Sequence, residues 1–139
     1  VAFFAVASDG TITVRKPNDY VSSMIELAGG TYSLNGYVPE EENALSTLKM
    51  QMEDFYAAEK DADILIYNGT IEGELTSIDE LVQKNSLFAD FKAVKTGQVY
   101  TTGSNFYQQT SGTCDFIEDL NKVLNGETDA EYRFLKKIN

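Results

Sequence analysis

Aromatic and amide side chains follow one predicted strand, and these residue types suit the binding of a ligand better than they suit catalysis. The strand ends near Thr101, and the polar, aromatic loop Ser104–Gln109 comes after it. In open α/β sheets, ligands bind beyond the carboxyl ends of the strands. Aromatic faces with a few amide groups suit a large, partly apolar ligand. The loop therefore predicts ligand contacts from Asn105, Phe106, Tyr107 and Gln108, with a surface loop that covers the core as the open alternative.

A second candidate lies at the end of a short apolar strand. Residues 62–67 form this strand, which breaks at Asn68-Gly69. Because this break also follows a strand, Tyr67 and Asn68 are predicted to contact the ligand. The Asn-Gly pair is equally typical of a hairpin turn, so a purely structural role stays open. Ser8 and Asp9 lie in the first turn and could reach the same ligand, although turn formation alone accounts for them.

The chain contains little that could carry out covalent chemistry. It has no His and a single Cys, Cys114, which is interpreted as a small side chain near a helix start. No glycine-rich phosphate loop follows a strand, and no nucleophile is paired with a base. No metal-site spacing is present either, so we predict no catalytic residue, no metal site and no cofactor. Two alternatives remain: a small α/β enzyme or nucleotide-binding module, which could use Glu72 and Glu74, and a protein-interaction domain with an acidic face.

The charge of the chain limits its partners. Lys and Arg number 11 against 22 Asp and Glu, which gives a formal net charge of -11. Nucleic acid binding needs clustered Lys and Arg, so this class of partner is not expected. Anionic lipid is disfavoured for the same reason, and no apolar run approaches the roughly 20 residues of a membrane helix. No signal peptide opens the chain, and it starts inside a strand-like run, so we expect a piece of a longer protein.

Alternating helices and strands predict a single α/β domain over residues 1–139. The expected architecture is a three-layer sandwich with a largely parallel central sheet that starts with a β-hairpin. The first predicted elements are a hairpin (Val1–Val6, Thr11–Val14), a helix from Pro17–Asp19 to Gly29–Gly30, and a polar connection over 31–46 with a short strand around Tyr32–Leu34. Next come a helix from Met50 to Asp61, a strand Ala62–Tyr67, a helix opened by the capping box Ser77–Glu80, and a helical turn around Leu87–Phe91. The last are a strand Gln98–Thr101, a helix from Thr113 to Leu124, and a terminal helix Ala130–Lys137.

The order of these segments resembles the C-terminal lobe of class III ABC-transporter substrate-binding proteins. These receptors carry iron–siderophore, haem and cobalamin-type ligands. The likeness spans nearly the whole chain, and the matching pieces are Met24–Gly30 after the hairpin, Met52–Tyr56 leading to Asp61–Tyr67, Phe91–Tyr100, and Asp115–Leu120.

The resemblance implies a two-lobed receptor that holds its ligand in a cleft between lobes joined by a long, stiff helix. The N-terminal lobe would be absent from this chain, and the ligand would be an iron chelate, haem or a corrinoid. The partners would be the membrane subunits of an ABC permease. The location would be extracytoplasmic, either lipid-anchored or periplasmic. Because the chain has no His, contact with an already chelated metal is expected rather than direct coordination.

Glu53 is the position that the resemblance matches to the family's docking glutamate, which meets Arg pockets on the permease. A carboxylate at a helix start also stabilises the helix dipole, typically by about 0.3–1 kcal/mol, so a local role explains it too. Other acidic positions compete for the docking role, namely Glu40, Glu41 and Glu42, and the pair Glu72 and Glu74.

Overall fold

A six-stranded mixed sheet forms the centre of the described part of the chain. The computed structural model describes residues 1–7, 10–15, 20–32, 47–69, 75–102, 112–125 and 135–138. The strands are β1 (Ala2–Val6), β2 (Ile12–Arg15), β3 (Thr47–Met50), β4 (Leu65–Tyr67), β5 (Val99–Thr102) and β6 (Leu135–Lys137), in the spatial order β3-β2-β1-β4-β5-β6.

The sheet is parallel at its centre and antiparallel toward both edges. β1 pairs in parallel with β4, and β4 with β5. The pairs β1–β2, β2–β3 and β5–β6 are antiparallel. The α/β class and the opening hairpin are thus confirmed. Parallel pairing, which was expected to dominate the sheet, is confined to three central strands.

The opening hairpin forms where the sequence predicts it. The Gly10 N–H donates to the Ala7 carbonyl at 2.9 Å, and the Ala7 N–H donates to the Thr11 carbonyl at 2.9 Å. Gly10 has a φ of 87°, a conformation that glycine adopts without strain. β-branched residues follow and pair with β1, so that Val6 lies opposite Ile12. Ser8 and Asp9 lie outside the described residues.

Helices cover both faces of the sheet. They are α1 (Tyr20–Leu27), α2 (Met52–Glu59), α3 (Ile78–Lys84), a 3-10 helix (Ser86–Asp90), α4 (Lys92–Thr96) and α5 (Gly112–Leu124). α1 and α5 pack together, and the Asn121 side-chain amide donates to the Ala28 carbonyl at 2.9 Å. All residues of β1, β4 and β5 are buried, which requires cover on both faces because side chains alternate along a strand. The sheet is therefore the middle one of three layers.

The end of α1 lies at the predicted Gly29-Gly30 pair. The Gly30 N–H donates to the Ile25 carbonyl and the Gly29 N–H to the Glu26 carbonyl, both at 3.0 Å. Gly29 has a φ of 98°. These two bonds are those of a Schellman motif, which satisfies the last carbonyls of a helix.

Five buried aromatic rings, here called the aromatic cluster, connect the sheet to α2 and the 3-10 helix. They are Phe4 of β1, Phe55 of α2, Tyr67 of β4, Phe88 of the 3-10 helix and Phe91 before α4, and none is more than 1% exposed. Ring centroids lie 5.0 Å apart for Phe4 and Phe55, and 5.6 Å apart for Phe4 and Phe88. Phe55 and Phe91 stack at 5.7 Å. Phe4 thus contacts α2 through Phe55 and the 3-10 helix through Phe88.

The strand β3 is a correction to the sequence prediction. A helix was predicted to start near Met50, but Thr47–Met50 is a strand and α2 starts at Met52. Met50 lies opposite Ile12, and Thr47 lies opposite Arg15. Only Thr47 in this strand is β-branched, so pairing with β2 defines the strand and the local residue types do not.

The end of the chain is a second correction. The terminal helix predicted over Ala130–Lys137 is wrong for residues 135–137, which form β6 beside β5. The Ile138 N–H donates to the Val99 carbonyl at 3.0 Å, and the Leu135 N–H donates to the buried Asp119 carboxylate at 3.2 Å. Leu135 and Ile138 are both buried. A three-residue strand is too short for its periodicity to be told from that of a helix.

The capping box of α3 is confirmed in one of its two bonds. Ser77 Oγ accepts the Glu80 N–H at 3.1 Å. The Glu80 carboxylate does not reach back to the Ser77 amide. It accepts the Thr76 N–H at 3.0 Å and the Thr76 hydroxyl at 2.6 Å, and these bonds lower the pKa of Glu80. The helix therefore starts as predicted, but the Glu80 carboxylate binds Thr76 instead of the Ser77 amide.

Candidate ligand-binding edge of the sheet

Four strands end at the same edge of the sheet, which we call the carboxyl edge. β1, β4 and β5 are parallel, and β3 points the same way because both β1 and β3 are antiparallel to β2. Their last residues are Val6, Tyr67, Thr102 and Met50. This edge is where open α/β sheets meet ligands.

Tyr67 lies in the core at this edge. Its side chain is 0% exposed, and its ring meets that of Phe4 edge-on with centroids 5.6 Å apart. The Lys84 ammonium lies 5.9 Å from the centre of the same ring. Tyr67 thus joins β4 to α3 and the aromatic cluster, and its side chain is buried.

Asn68 extends the sheet by one residue beyond β4. Its N–H donates to the Phe4 carbonyl at 2.6 Å, and its side chain is 5% exposed. The chain therefore stays bound to β1 after the strand ends. Asn68 is nearer to solvent than Tyr67, and it stands at the predicted edge.

Two buried threonines at the end of β5 belong to this edge and were missed in the sequence analysis. Thr101 and Thr102 are both 0% exposed. Thr102 Oγ1 accepts the Gly69 N–H at 3.0 Å, and Thr101 Oγ1 accepts the Leu75 N–H at 3.3 Å. The signal available in the sequence was a pair of adjacent hydroxyl residues, Thr101 and Thr102, at the end of a predicted strand.

Glu53 lies near the same edge, in the first turn of α2. α2 starts two residues after β3 ends, and β3 ends at the carboxyl edge. Glu53 and Asp54 are both exposed, and the side chain of the N-cap residue Gln51 makes no capping hydrogen bond. Glu53 is therefore an exposed carboxylate near the strand ends, where it interacts favourably with the helix dipole.

The remaining predicted site residues lie outside the described part of the chain. These are the loop residues Asn105, Phe106, Tyr107 and Gln108, and the competing acidic positions Glu40, Glu41, Glu42, Glu72 and Glu74. The loop follows directly on Thr102, the last residue of β5, so its attachment point is at the carboxyl edge.

A shallow groove with a volume of about 320 Å³ lies elsewhere, between α1 and α5. It is lined by Leu27, Ala28, Ile117, Glu118, Asn121 and Lys122, and Leu27 is 74% exposed. Thr31, just beyond α1, accepts a hydrogen bond from the Val1 nitrogen at 2.8 Å, which places this end of α1 at the amino end of β1. The groove is therefore at the opposite end of the molecule from the carboxyl edge.

The described residues contain neither a group of metal-ligating side chains nor a membrane-spanning helix. No three side chains among their His, Cys, Asp and Glu residues are grouped so that they could hold a metal ion. Within the same ranges, no helix is long and apolar enough to span a bilayer.

Comparison with known proteins gives a consistent structural class. No family model matches the sequence, and no curated protein matches it. Among solved structures, the chain is similar to the TroA-like periplasmic binding protein FepB from Veillonella parvula, with a TM-score of 0.63 and 13% identity over 99% of this chain and 48% of that one. It is similar to the siderophore periplasmic binding protein from the fuscachelin gene cluster of Thermobifida fusca, with a TM-score of 0.62 and 18% identity over 90% and 44%.

A third similar structure is an ABC transporter substrate-binding protein from Listeria monocytogenes, with a TM-score of 0.60 and 18% identity over 88% of this chain and 45% of that one. The chain thus spans slightly less than half the length of the proteins it resembles. At these identities the likeness shows the fold, and the fold is that of one lobe of a periplasmic binding protein. The fold that the resemblance drawn from the sequence implies is therefore confirmed.

Proposed function

We propose that this chain is the C-terminal lobe of the solute-binding component of an ABC importer. The complete receptor captures an iron chelate, haem or a corrinoid in the cleft between two lobes and delivers it to the permease. The observation that carries this proposal is the likeness of nearly the whole chain to slightly less than half of binding proteins such as the siderophore receptor of Thermobifida fusca. The receptor acts outside the cytoplasm, lipid-anchored or in a periplasm.

The carboxyl edge is the side of the lobe that we propose faces the ligand. Three parallel strands end there, and buried polar residues Asn68, Thr101 and Thr102 concentrate at their ends. The direct contacts come from Asn105, Phe106, Tyr107 and Gln108, whose rings and amides suit a large chelate or macrocycle. Asn68 adds a polar group directly after β4, and its neighbour Tyr67 anchors the end of the strand in the core.

The test of this function uses the full-length protein and isothermal calorimetry. The probes are ferric desferrioxamine B, ferric enterobactin, haemin and cyanocobalamin. We expect one of them to bind, and we expect the double variant Tyr107→Ala/Gln108→Ala to bind it about ten- to a hundredfold more weakly, because a stacking face and a hydrogen bond are lost. Gln83→Ala, an exposed site on α3, is the matched control.

The outcomes separate the two parts of the proposal. Wild-type affinity in the double variant would remove the loop from the binding site while leaving the receptor function in place. A full-length protein that binds none of the four probes would overturn the proposed ligand class. Turnover of a substrate by the purified protein would favour an α/β enzyme instead.

Docking on the permease is proposed for Glu53. Since it is exposed near the carboxyl edge, charge reversal in Glu53→Lys should lower uptake by the reconstituted importer by about tenfold or more, through loss of a charge pair with the permease. Ligand affinity should be unchanged. Asp54→Lys is the matched control, because it makes the same charge change one residue away. Undiminished uptake by Glu53→Lys would rule out this docking role, and equal loss in both variants would indicate a general effect of net charge.

A further inference from the structure

We infer that Thr101 and Thr102 are positioning residues of the ligand-binding edge. Their hydroxyls hold the chain that leaves β4, and so they fix the place from which Asn68 meets the ligand. This inference rests on the proposed function and deepens it, since it assigns a role to two buried residues that need not touch the ligand themselves.

The hydroxyls take over hydrogen bonds where the backbone ladder ends. Asn68 still donates to Phe4 of β1, but the next amide, that of Gly69, donates to Thr102 Oγ1 at 3.0 Å. Further on, the Leu75 amide donates to Thr101 Oγ1 at 3.3 Å. Buried backbone amides are almost always paired. Two side chains of β5 therefore accept the hydrogen bonds of the Gly69 and Leu75 amides, a role that backbone carbonyls of neighbouring strands have within the sheet.

Thr101 is also bound to the strand beside it. Its hydroxyl has two acceptors within reach, the Tyr67 carbonyl at 3.4 Å and the Thr102 carbonyl at 3.3 Å. The hydroxyl oxygen can accept from Leu75 while its proton goes to one of these carbonyls. When the proton goes to the Tyr67 carbonyl, this one oxygen atom joins the segments around Tyr67, Leu75 and Thr101.

The hydroxyls of Thr101 and Thr102 accept hydrogen bonds from buried amides, which valine at these positions could not do. Valine has nearly the same shape as threonine and carries no hydroxyl to bury, and a buried hydroxyl without a partner costs free energy. Six buried polar or charged residues are found in the described ranges, and three of them, Asn68, Thr101 and Thr102, lie at the carboxyl edge. The polar groups of the core are therefore concentrated where the ligand is proposed to bind.

The consequence for binding is preorganisation. A segment whose amides are fixed before the ligand arrives does not have to be ordered on binding, and this raises affinity without adding a contact. Loss of one hydroxyl should therefore weaken binding even though that hydroxyl lies at 0% exposure.

The test compares two substitutions of Thr102 in the full-length protein. Thr102→Val keeps the shape and removes the hydroxyl, and Thr102→Ser keeps the hydroxyl and removes the methyl group. We expect amide exchange at Gly69, measured by NMR, to be about tenfold faster in Thr102→Val and unchanged in Thr102→Ser. Affinity for whichever of the four probes binds should fall about three- to tenfold in Thr102→Val only.

Val99→Ala is the control for a merely structural effect, because Val99 is buried in the same strand at its opposite end. It should lower the melting temperature and leave affinity unchanged. Wild-type affinity in Thr102→Val, or unchanged exchange at Gly69, would overturn the positioning role while the receptor function stands. A wild-type protein that binds none of the probes would overturn the proposed ligand class, and with it the expected effect of Thr102 on affinity.

Discussion

Replacing Phe4 by alanine is expected to lower the free energy of unfolding by about 3–5 kcal/mol, the usual cost of removing a buried phenylalanine ring. Phe4 is 1% exposed and, among the described residues, has three ring neighbours, with centroids at 5.0 Å (Phe55), 5.6 Å (Tyr67) and 5.6 Å (Phe88). The substitution removes the contact of the sheet with two helical segments at once. Aromatic pairs add about 0.5–1.5 kcal/mol beyond the area they bury, which places Phe4 near the upper end of this range.

The measurement is urea denaturation followed by circular dichroism. The total free energy of unfolding of a natural domain is about 5–15 kcal/mol. Phe4→Ala can therefore leave little folded protein. Phe4→Leu is therefore measured beside it and is expected to lose less, since much of the volume is kept. Leu27→Ala, at a side chain that is 74% exposed, should change stability by less than about 0.5 kcal/mol. A loss below about 1 kcal/mol in Phe4→Ala would contradict the packing of the aromatic cluster.

Replacing Asp119 by alanine is expected to lower the free energy of unfolding by about 2–3 kcal/mol. Asp119 is 1% exposed, and its carboxylate accepts the Leu135 N–H at 3.2 Å. Hydrogen bonds to charged groups contribute about 1.5–3 kcal/mol, and their loss here leaves a buried amide without its partner. The bond joins α5 to the first residue of β6, so its loss should loosen the edge strand in particular.

Asp119→Asn is the matched variant, because it keeps an oxygen that can accept the same bond, and Glu118→Ala is the exposed neighbour. Amide exchange at Leu135 should be faster in Asp119→Ala and nearly unchanged in Glu118→Ala. This experiment also separates the strand from the helix that the sequence predicts over Ala130–Lys137. In a helix the Leu135 N–H would bind a carbonyl four residues earlier, and its exchange would not respond to Asp119.

The parts of the fold that were predictable are those with local causes. The hairpin depends on a turn at Gly10 flanked by apolar and β-branched runs, and the end of α1 depends on the freedom of Gly29 to adopt positive φ. The start of α3 follows from the Ser77 hydroxyl. Each of these is decided by a few neighbouring residues, which a single sequence displays in full.

The two edge strands and the buried side of the site have non-local causes. β3 exists through its pairing with β2, and β6 through its pairing with β5 and the bond from Leu135 to Asp119, 16 residues earlier in the chain. Tyr67 is 0% exposed because β4 is covered on both faces, and the sequence of the strand does not show this cover. The hydroxyls of Thr101 and Thr102 acquire their role only when Gly69 and Leu75 are brought beside β5.

The reversal of direction at β2 has a consequence for how a complete receptor would work. Because β2 turns the chain back and β3 turns it forward again, α2 begins on the side of the lobe where β1, β4 and β5 end. Under the proposed function, ligand binding and docking on the permease both take place at the carboxyl edge of the lobe. A receptor built this way can release its ligand into the permease on which it is docked, without first rotating to present another face.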